Sequence, residues 1–458
     1  SSSGSSSSGS GSNTILSIFA RESYDWVSST TPVPVSTSAV LAKLILADKT
    51  LPAGLEAFLT AAAAVSGDDG TAAGQAVLDV PLRPLQDFLS SQVLEEVRQL
   101  CASSSNTPGG GVGCDPNEVD PDFGITPLHL AQLWGSRELS EYLLSIGADP
   151  EIYDIVGRQP RNMTFNAFSA NSKKAADARL PPGADPEERC EMPEQIAAAK
   201  EWRDSATAAL SEVRRIVSEG EPVVVRNVVP WLVAESSFEN IEDNNSNYTS
   251  TVQYQSAAQF VEAWGHRPVD VGKVPYAKIF DLAVERTTLK DYVTRAAATA
   301  AGAPTGDKEL ATPNYVFQVD TEACVEARRL LGRIVEAALP SSGENPIVCP
   351  PQGGVQGLNS VHYYLGARWT GAPFHIHADA LNLIVSGKKR WWVVPPRDAV
   401  WSKRHIHEYA KEGKGGPGGG GANDEERPME CVQRDGDLVY VPGNWGHAAM
   451  NVEDDTFG

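Results

Sequence analysis

The 458-residue chain carries 38 basic and 59 acidic side chains, a formal charge of -21. It is too long for one ordinary core, so two or three domains are expected. No apolar run reaches the roughly 18 residues of a membrane span, and the acidic balance disfavours nucleic acid, whose phosphates demand a basic face.

The first residue is Ser1, so the chain reads as a fragment or a processed product, with a leader segment left open. Residues 1–12 are Ser and Gly only, a flexible linker. Residues 13–118 read as a helical region. Within it "LQDFLSSQVLEEVRQL", Leu85 to Leu100, repeats apolar side chains at i, i+3, i+4 and i+7, the pattern of an amphipathic helix. Gly, Pro and Asp then break the chain between Asn106 and Asp122.

Residues 119–171 contain, from Asp122, "DFGITPLHLAQLWGSRELSEYLLSIGADP". Gly124, Thr126-Pro127-Leu128-His129, Ala131, Gly135, Leu143-Leu144 and Gly147-Ala148-Asp149-Pro150 closely resemble an ankyrin repeat, and Asp154 with Gly157-Arg158 resembles the start of the next. The chemistry suits that reading. Thr126 caps the first helix, His129 bonds across the turn, and Gly147 ends the second helix in a left-handed conformation. One repeat cannot bury its own core, so the preceding helices are expected to be degenerate repeats.

Residues 172–192 read as a second linker, followed by a helix near Pro193 to Ser218. Short apolar runs then alternate with turns: "EPVVVRNVV", "NYVFQVD", "SVHYYLGA", "LNLIVSG", "KRWWVVPP" and "GDLVYVPGNWGHAAMNV", the signature of a sandwich or barrel. Residues 411–428 are too Gly-rich and charged for a core and read as a disordered insertion. The six cysteines are scattered without a CxxC pair and read as free thiols rather than a disulfide framework or zinc site.

The chemistry concentrates in "PFHIHADALNLIVSGKKRWWVVPP", Pro373 to Pro396. Alternate residues of a strand share a face, so His375 and His377 point the same way. His447, in "GDLVYVPGNWGH", is a candidate third imidazole. Three protein ligands on a borderline metal leave positions for other groups. His377-Ala-Asp379 is an overlapping register that would supply a carboxylate instead. His405-Ile-His407 has the same spacing without the strand context and reads as surface. His266 and His362 have no evident partners, and Trp391, Trp392 and Trp445 read as core.

These motifs, with the strand order around them, resemble the JmjC-type, 2-oxoglutarate-dependent iron oxygenases over residues 193–458. The resemblance implies a multidomain α + β protein, helical ankyrin-like repeats followed by a double-stranded β-helix (jelly-roll) JmjC domain. It implies Fe(II) held by His375, His377 and His447, and 2-oxoglutarate whose distal carboxylate meets Lys389, with Tyr315 and Asn382 in the same pocket. Most members read His-x-Asp or His-x-Glu where this chain has His375-Ile-His377, and many carry Thr where it has Ala372. A branch with a luminal member of the endoplasmic reticulum shares Pro-Phe-His-x-His.

The leading expectation is an oxygenase-like domain that hydroxylates a protein side chain. The rival is a catalytically weak or inactive pseudo-oxygenase serving as a scaffold, because a third neutral imidazole supplies none of a carboxylate's charge. In either case the ankyrin region is expected to meet a protein partner or substrate. The acidic charge argues against a chromatin substrate. Ankyrin repeats point to the cytoplasm; the His-x-His branch and the Asn-x-Ser/Thr triplets at Asn162, Asn244 and Asn247 point to the secretory lumen.

Overall fold

A computed structural model describes residues 14–18, 79–81, 83–104, 114–120, 124–154, 157–163, 190–196, 215, 218–227, 257–272, 283–302, 315–319, 362–377, 379–402, 405–412, 428–454 and 456–458. The expected linker 1–12, most of the linker 172–192 and residues 413–427 of the expected insertion lie outside these residues, as do Cys324, Cys349, Asn244 and Asn247.

The repeat forms where its caps require. Thr126 precedes the helix Pro127–Leu133; its hydroxyl accepts the His129 N–H while His129 Nδ1 accepts the Thr126 N–H, so two orphan donors are satisfied reciprocally. The Ser136 hydroxyl caps the helix Arg137–Ser145 by accepting the Leu139 N–H, and Gly147 follows its end at φ 99°. The apolar faces of the two helices, Leu128, Ala131, Leu139 and Leu143, pack on Val93, Leu94 and Val97 of the long helix Arg83–Ser104. The same cluster contains Ile376 and Ala399, which lie far downstream. The neighbour that completes the repeat's core is therefore partly the β domain itself.

The β domain is built from antiparallel sheets with one parallel pair. Its strands are β2 (Glu194–Ile196), β3 (Val223–Arg226), β4 (Pro268–Gly272), β5 (Val284–Thr288), β6 (Tyr315–Val319), β7 (His362–Gly366), β8 (Gly371–His375), β9 (Ala380–Leu383), β10 (Lys389–Val394), β12 (Met429–Gln433), β13 (Leu438–Val441), β14 (Gly446–Asn451) and β15 (Thr456–Phe457). One four-stranded sheet runs β12-β10-β14-β8, a second β2-β3-β13-β9, and a five-stranded sheet β15-β7-β6-β4-β5. Upstream, β1 (Asp79–Pro81) pairs with β11 (Val400–Ser402), a second tie between the two halves of the chain.

Period-two alternation divides β10 between two cores. Trp391 and Val393 pack with Val439, Val441 and Trp445, between the two four-stranded sheets. Trp392 and Val394 face the other way, onto Phe374, Ala448 and Ile406 of the helix Ile406–Glu412. Lys389 shares the face of Trp391 and is 2% exposed, whereas Lys388 reaches outward to Glu453 at 2.7 Å. Gly387, which links β9 to β10, sits at φ 95°, and an added Cβ would lie 2.6 Å from Thr456 Oγ1, so only glycine fits.

Three expectations are corrected. The helix near Pro193 begins instead as strand β2, parallel to β3, because Cys190 and Glu191 dock it onto the β domain: Glu191 N donates to Glu430 O at 2.7 Å. The thiols are not free: Cys190 bonds Cys431 and Cys101 bonds Cys114, leaving no free cysteine among the described residues. His405 and His407 are buried, at 4% and 8% exposure, with His407 stacked on Trp369 at 4.9 Å between ring centroids.

Candidate metal centre

The short strand β8 ends at His375, and its register sets His375 directly across from His447 on β14. His377 follows just beyond the ladder. Alternation sends Ile376 to the opposite side, where it is 2% exposed in the ankyrin cluster, and leaves both histidines on the inner face. The three rings converge. Centroids lie 4.3 Å apart for His375 and His447, 4.5 Å for His377 and His447, and 5.1 Å for His375 and His377. One nitrogen from each falls within 4.8 Å of the others.

Backbone carbonyls orient two of the rings. His375 Nδ1 donates to Pro373 O at 2.8 Å and His447 Nδ1 to Trp445 O at 2.9 Å. Those bonds leave the Nε2 lone pairs directed inward. His447 Nε2 lies 3.0 Å from His377 Nε2. Without a metal, a hydrogen on His377 Nε2 satisfies this contact; in the other His377 tautomer both nitrogens turn lone pairs toward a shared cation. Burial, aided by the neighbouring histidines, pushes His375 down to about 3 and His447 well below its ordinary value, so protonation is disfavoured. The donor set, three imidazoles of which two have tautomers fixed by backbone carbonyls, suits a borderline divalent ion.

Asp379 does not join the cluster. Its Oδ1 accepts from Arg158 Nη1 at 3.3 Å, from Gly443 N at 3.3 Å and from the Tyr440 hydroxyl. The alternative register is thus not assembled, and no carboxylate belongs to the histidine group among the described residues.

Lys389 Nζ donates to Tyr315 Oη at 3.3 Å and lies 3.3 Å from the centroid of Tyr364. Burial holds its pKa well below the ordinary value, and no carboxylate lies in ion-pair range among the described residues. A buried amine met by a phenol and an aromatic face is a seat for an anion. Asn382 stands beside it through Tyr364, whose hydroxyl donates to Asn382 Oδ1 at 3.0 Å and to Leu383 O at 3.1 Å.

Sequence reasoning missed Tyr364 and gave His362 no partner. Both occupy alternate positions of β7, as Tyr315 and Phe317 do of β6. His362 stacks on Phe317 at 4.5 Å, and its pKa is lowered to about 4 by burial and then by His377. The available signal was period two: His362 and Tyr364 belong to one face, and the i+2 rule already applied to His375 and His377 would have paired them. The Trp391 ring, 6.1 Å from His447, links the lysine's face of β10 to the histidines.

The ankyrin-repeat family model matches residues 123–155. The chain is 28% identical over 109 residues to JmjC domain-containing protein 8 of Homo sapiens, a stretch that covers 24% of this chain and 40% of that protein. It is 27% identical over 108 residues to the arginine-specific demethylase JMJ20 of Arabidopsis thaliana, covering 20% and 21%. It is also 27% identical over 100 residues to the 2-oxoglutarate and iron-dependent oxygenase JMJD4 of Gallus gallus, covering 20% and 23%. The matched stretch spans less than half the length of each relative. The chain thus carries an ankyrin repeat and a stretch similar to JmjC domain-containing proteins, 2-oxoglutarate and iron-dependent oxygenases among them.

Proposed function

We propose that residues 190–458 form a double-stranded β-helix that binds Fe(II) and 2-oxoglutarate and hydroxylates a protein side chain. The fold reading is supported by the chain's passage between sheets: β8, β10, β12 and β14 belong to one four-stranded sheet, β9 and β13 to the facing one. The observation that carries the site is the convergence of three imidazole nitrogens within 4.8 Å with two tautomers fixed by backbone carbonyls. His375, His377 and His447 would hold the metal. Lys389, with the Tyr315 hydroxyl, would take the distal carboxylate of 2-oxoglutarate, and Tyr364 orders Asn382 beside it. With dioxygen as the oxidant, bound ferrous iron and 2-oxoglutarate would supply the chemistry for C–H hydroxylation, one oxygen atom going to the side chain and the other to the succinate left when 2-oxoglutarate loses carbon dioxide. The protein's part is to orient the acid, keep the imidazoles neutral and exclude water with Trp391 and Trp445.

One observation favours a second reading. The only carboxylate close in sequence to the ligand pair, Asp379, is already taken by Arg158, Tyr440 and Gly443. A three-imidazole site leaves the ion more positive than a carboxylate-containing one. On this reading the domain binds metal with little turnover and serves as a scaffold. Comparing 2-oxoglutarate decarboxylation by the parent and by His377→Asp separates the two. Faster decarboxylation in the variant supports the scaffold; a fast parent slowed by the substitution supports the hydroxylase.

The two disulfides, Cys101–Cys114 and Cys190–Cys431, support an oxidising compartment such as the secretory lumen over the cytoplasm. Alkylation of the protein as isolated from its native cells, with and without reductant, tests this. Cysteines that all react without reductant would return the protein to the cytoplasm.

A further inference from the structure

The ligand pair on β8 is gripped from behind by the ankyrin region. Ile376, between the two histidines, is buried with Leu128, Leu139 and Val93 of the helices. Two residues past His377, Asp379 receives Arg158, from the turn that follows the repeat and is tied to it through His129. Arg158 is itself held rigidly. His129 Nε2 donates to its carbonyl at 3.1 Å, and Asp154 accepts both its N–H and its Nε, each at 2.7 Å. Burial opposes the Arg158 charge, but Asp379 and Asp154 outweigh it and raise its pKa.

The grip matters because His377 lies outside the strand ladder that fixes the other two ligands. His375 and His447 face each other in paired strands. His377 is placed by the segment between β8 and β9. Asn444 N donates to His377 O at 2.9 Å, and Asp379 Oδ1 collects Arg158, Tyr440 and Gly443. Tyr440, Gly443 and Asn444 lead directly into His447; Asn444 adopts φ 66° in that turn. A single carboxylate therefore joins the repeat, the His377 segment and the turn before His447.

We propose that Arg158 is a positioning residue for the metal centre, and that this face of the ankyrin repeat braces His377 through Asp379 instead of serving as a docking surface. The proposal rests on the three-histidine reading. Outer residues that orient ligands typically contribute about tenfold or more to metal affinity. The geometry satisfies the requirement for such a residue: rigid on its own side, in ion-pair contact with the ligand's segment, and buried.

The test is Co(II) titration of the full chain, followed by its visible absorption, together with hydrogen exchange of residues 375–383 in metal-free protein. Arg158→Met should weaken Co(II) binding about tenfold and speed exchange in that segment. Arg158→Lys, which keeps the charge but not the fork, should recover part of both. Asp379→Asn should match Arg158→Met, and the double variant should be no worse than either, since both cut one link. Arg137→Met, which removes an exposed pair with Glu141, is the control and should change neither. Should Arg158→Met not fold, Asp379→Asn carries the test alone, because Arg158 keeps Asp154. Parent-like Co(II) affinity and parent-like exchange in Asp379→Asn overturn the proposal. A parent that binds no Co(II) overturns the metal reading instead, and exchange then decides the brace by itself.

Discussion

Two buried polar clusters meet at residues 375–379, and they are built on opposite terms. Behind the segment, Arg158, Asp154, Asp379, Tyr440 and Gly443 satisfy one another: two carboxylates face one guanidinium, and a hydroxyl and a backbone N–H complete the set. In front of it, three imidazoles converge with one nitrogen of each within 4.8 Å of the others, and Lys389 lies against aromatic rings with no carboxylate in range among the described residues. The first cluster needs nothing from outside and holds the fold together. The second is complete only with a cation and an anion added. Converging imidazole nitrogens beside a buried amine that has no carboxylate partner among the described residues mark a binding site, whereas the closed network marks a joint.

The sharpest way to break this contrast is to remove one member of each cluster and compare stabilities by chemical denaturation. Arg158→Met should cost about 3 kcal/mol or more, since Asp154 stays buried without its partner. Lys389→Met should do the reverse and stabilise the metal-free protein by about 1 kcal/mol or more, as a buried amine without a carboxylate partner is replaced by an apolar chain. Equal losses in both variants would erase the distinction.

A second comparison uses pH. The Lys389 pKa is lowered in the fold, so the unfolded chain binds more protons below its ordinary value of 10.5. Stability should therefore rise as pH climbs from neutrality toward about 10.5, and Lys389→Met should flatten that rise. His362 and His375, lowered to about 4 and about 3, act in the same sense at acid pH. The unfolded chain protonates first near 6.5, so stability is lost as pH falls below 6.5, and His362→Phe should soften the loss. A pH profile of His362→Phe that overlays the parent's would show that this ring is not held neutral. The smallest effect belongs to Arg137→Met, an exposed pair, for which no measurable change is expected.

What could be read from sequence was whatever has a short period or a local cap. The helix at 83–104 followed from apolar spacing and the Thr126–His129 cap from four consecutive residues. The histidine pair was legible for the same reason. What escaped depends on partners far along the chain. Arg158 and Asp379 are 221 residues apart, and nothing near either position announces the other. The repeat motif predicts further repeats as neighbours, yet Ile376 and Ala399 of the β domain fill part of that role. The Cys190–Cys431 bond closes across 241 residues, a pairing that scattered cysteines do not reveal. His405 and His407 lacked a strand context and were read as exposed, but the helix Ile406–Glu412 docks them against Trp369 and β14. Asp379 illustrates the limit most clearly. Its spacing from His377 suits a ligand, and only the tertiary structure shows that Arg158 occupies it.

The most direct test of the three-imidazole site is the stoichiometry of Co(II) binding to the metal-free chain, measured by titration calorimetry on the parent and on His447→Ala at matched folding. The account predicts one Co(II) per chain in the parent, with affinity reduced at least about tenfold when His447 is removed. Equal affinity in the two proteins, or a parent that binds none, would contradict it.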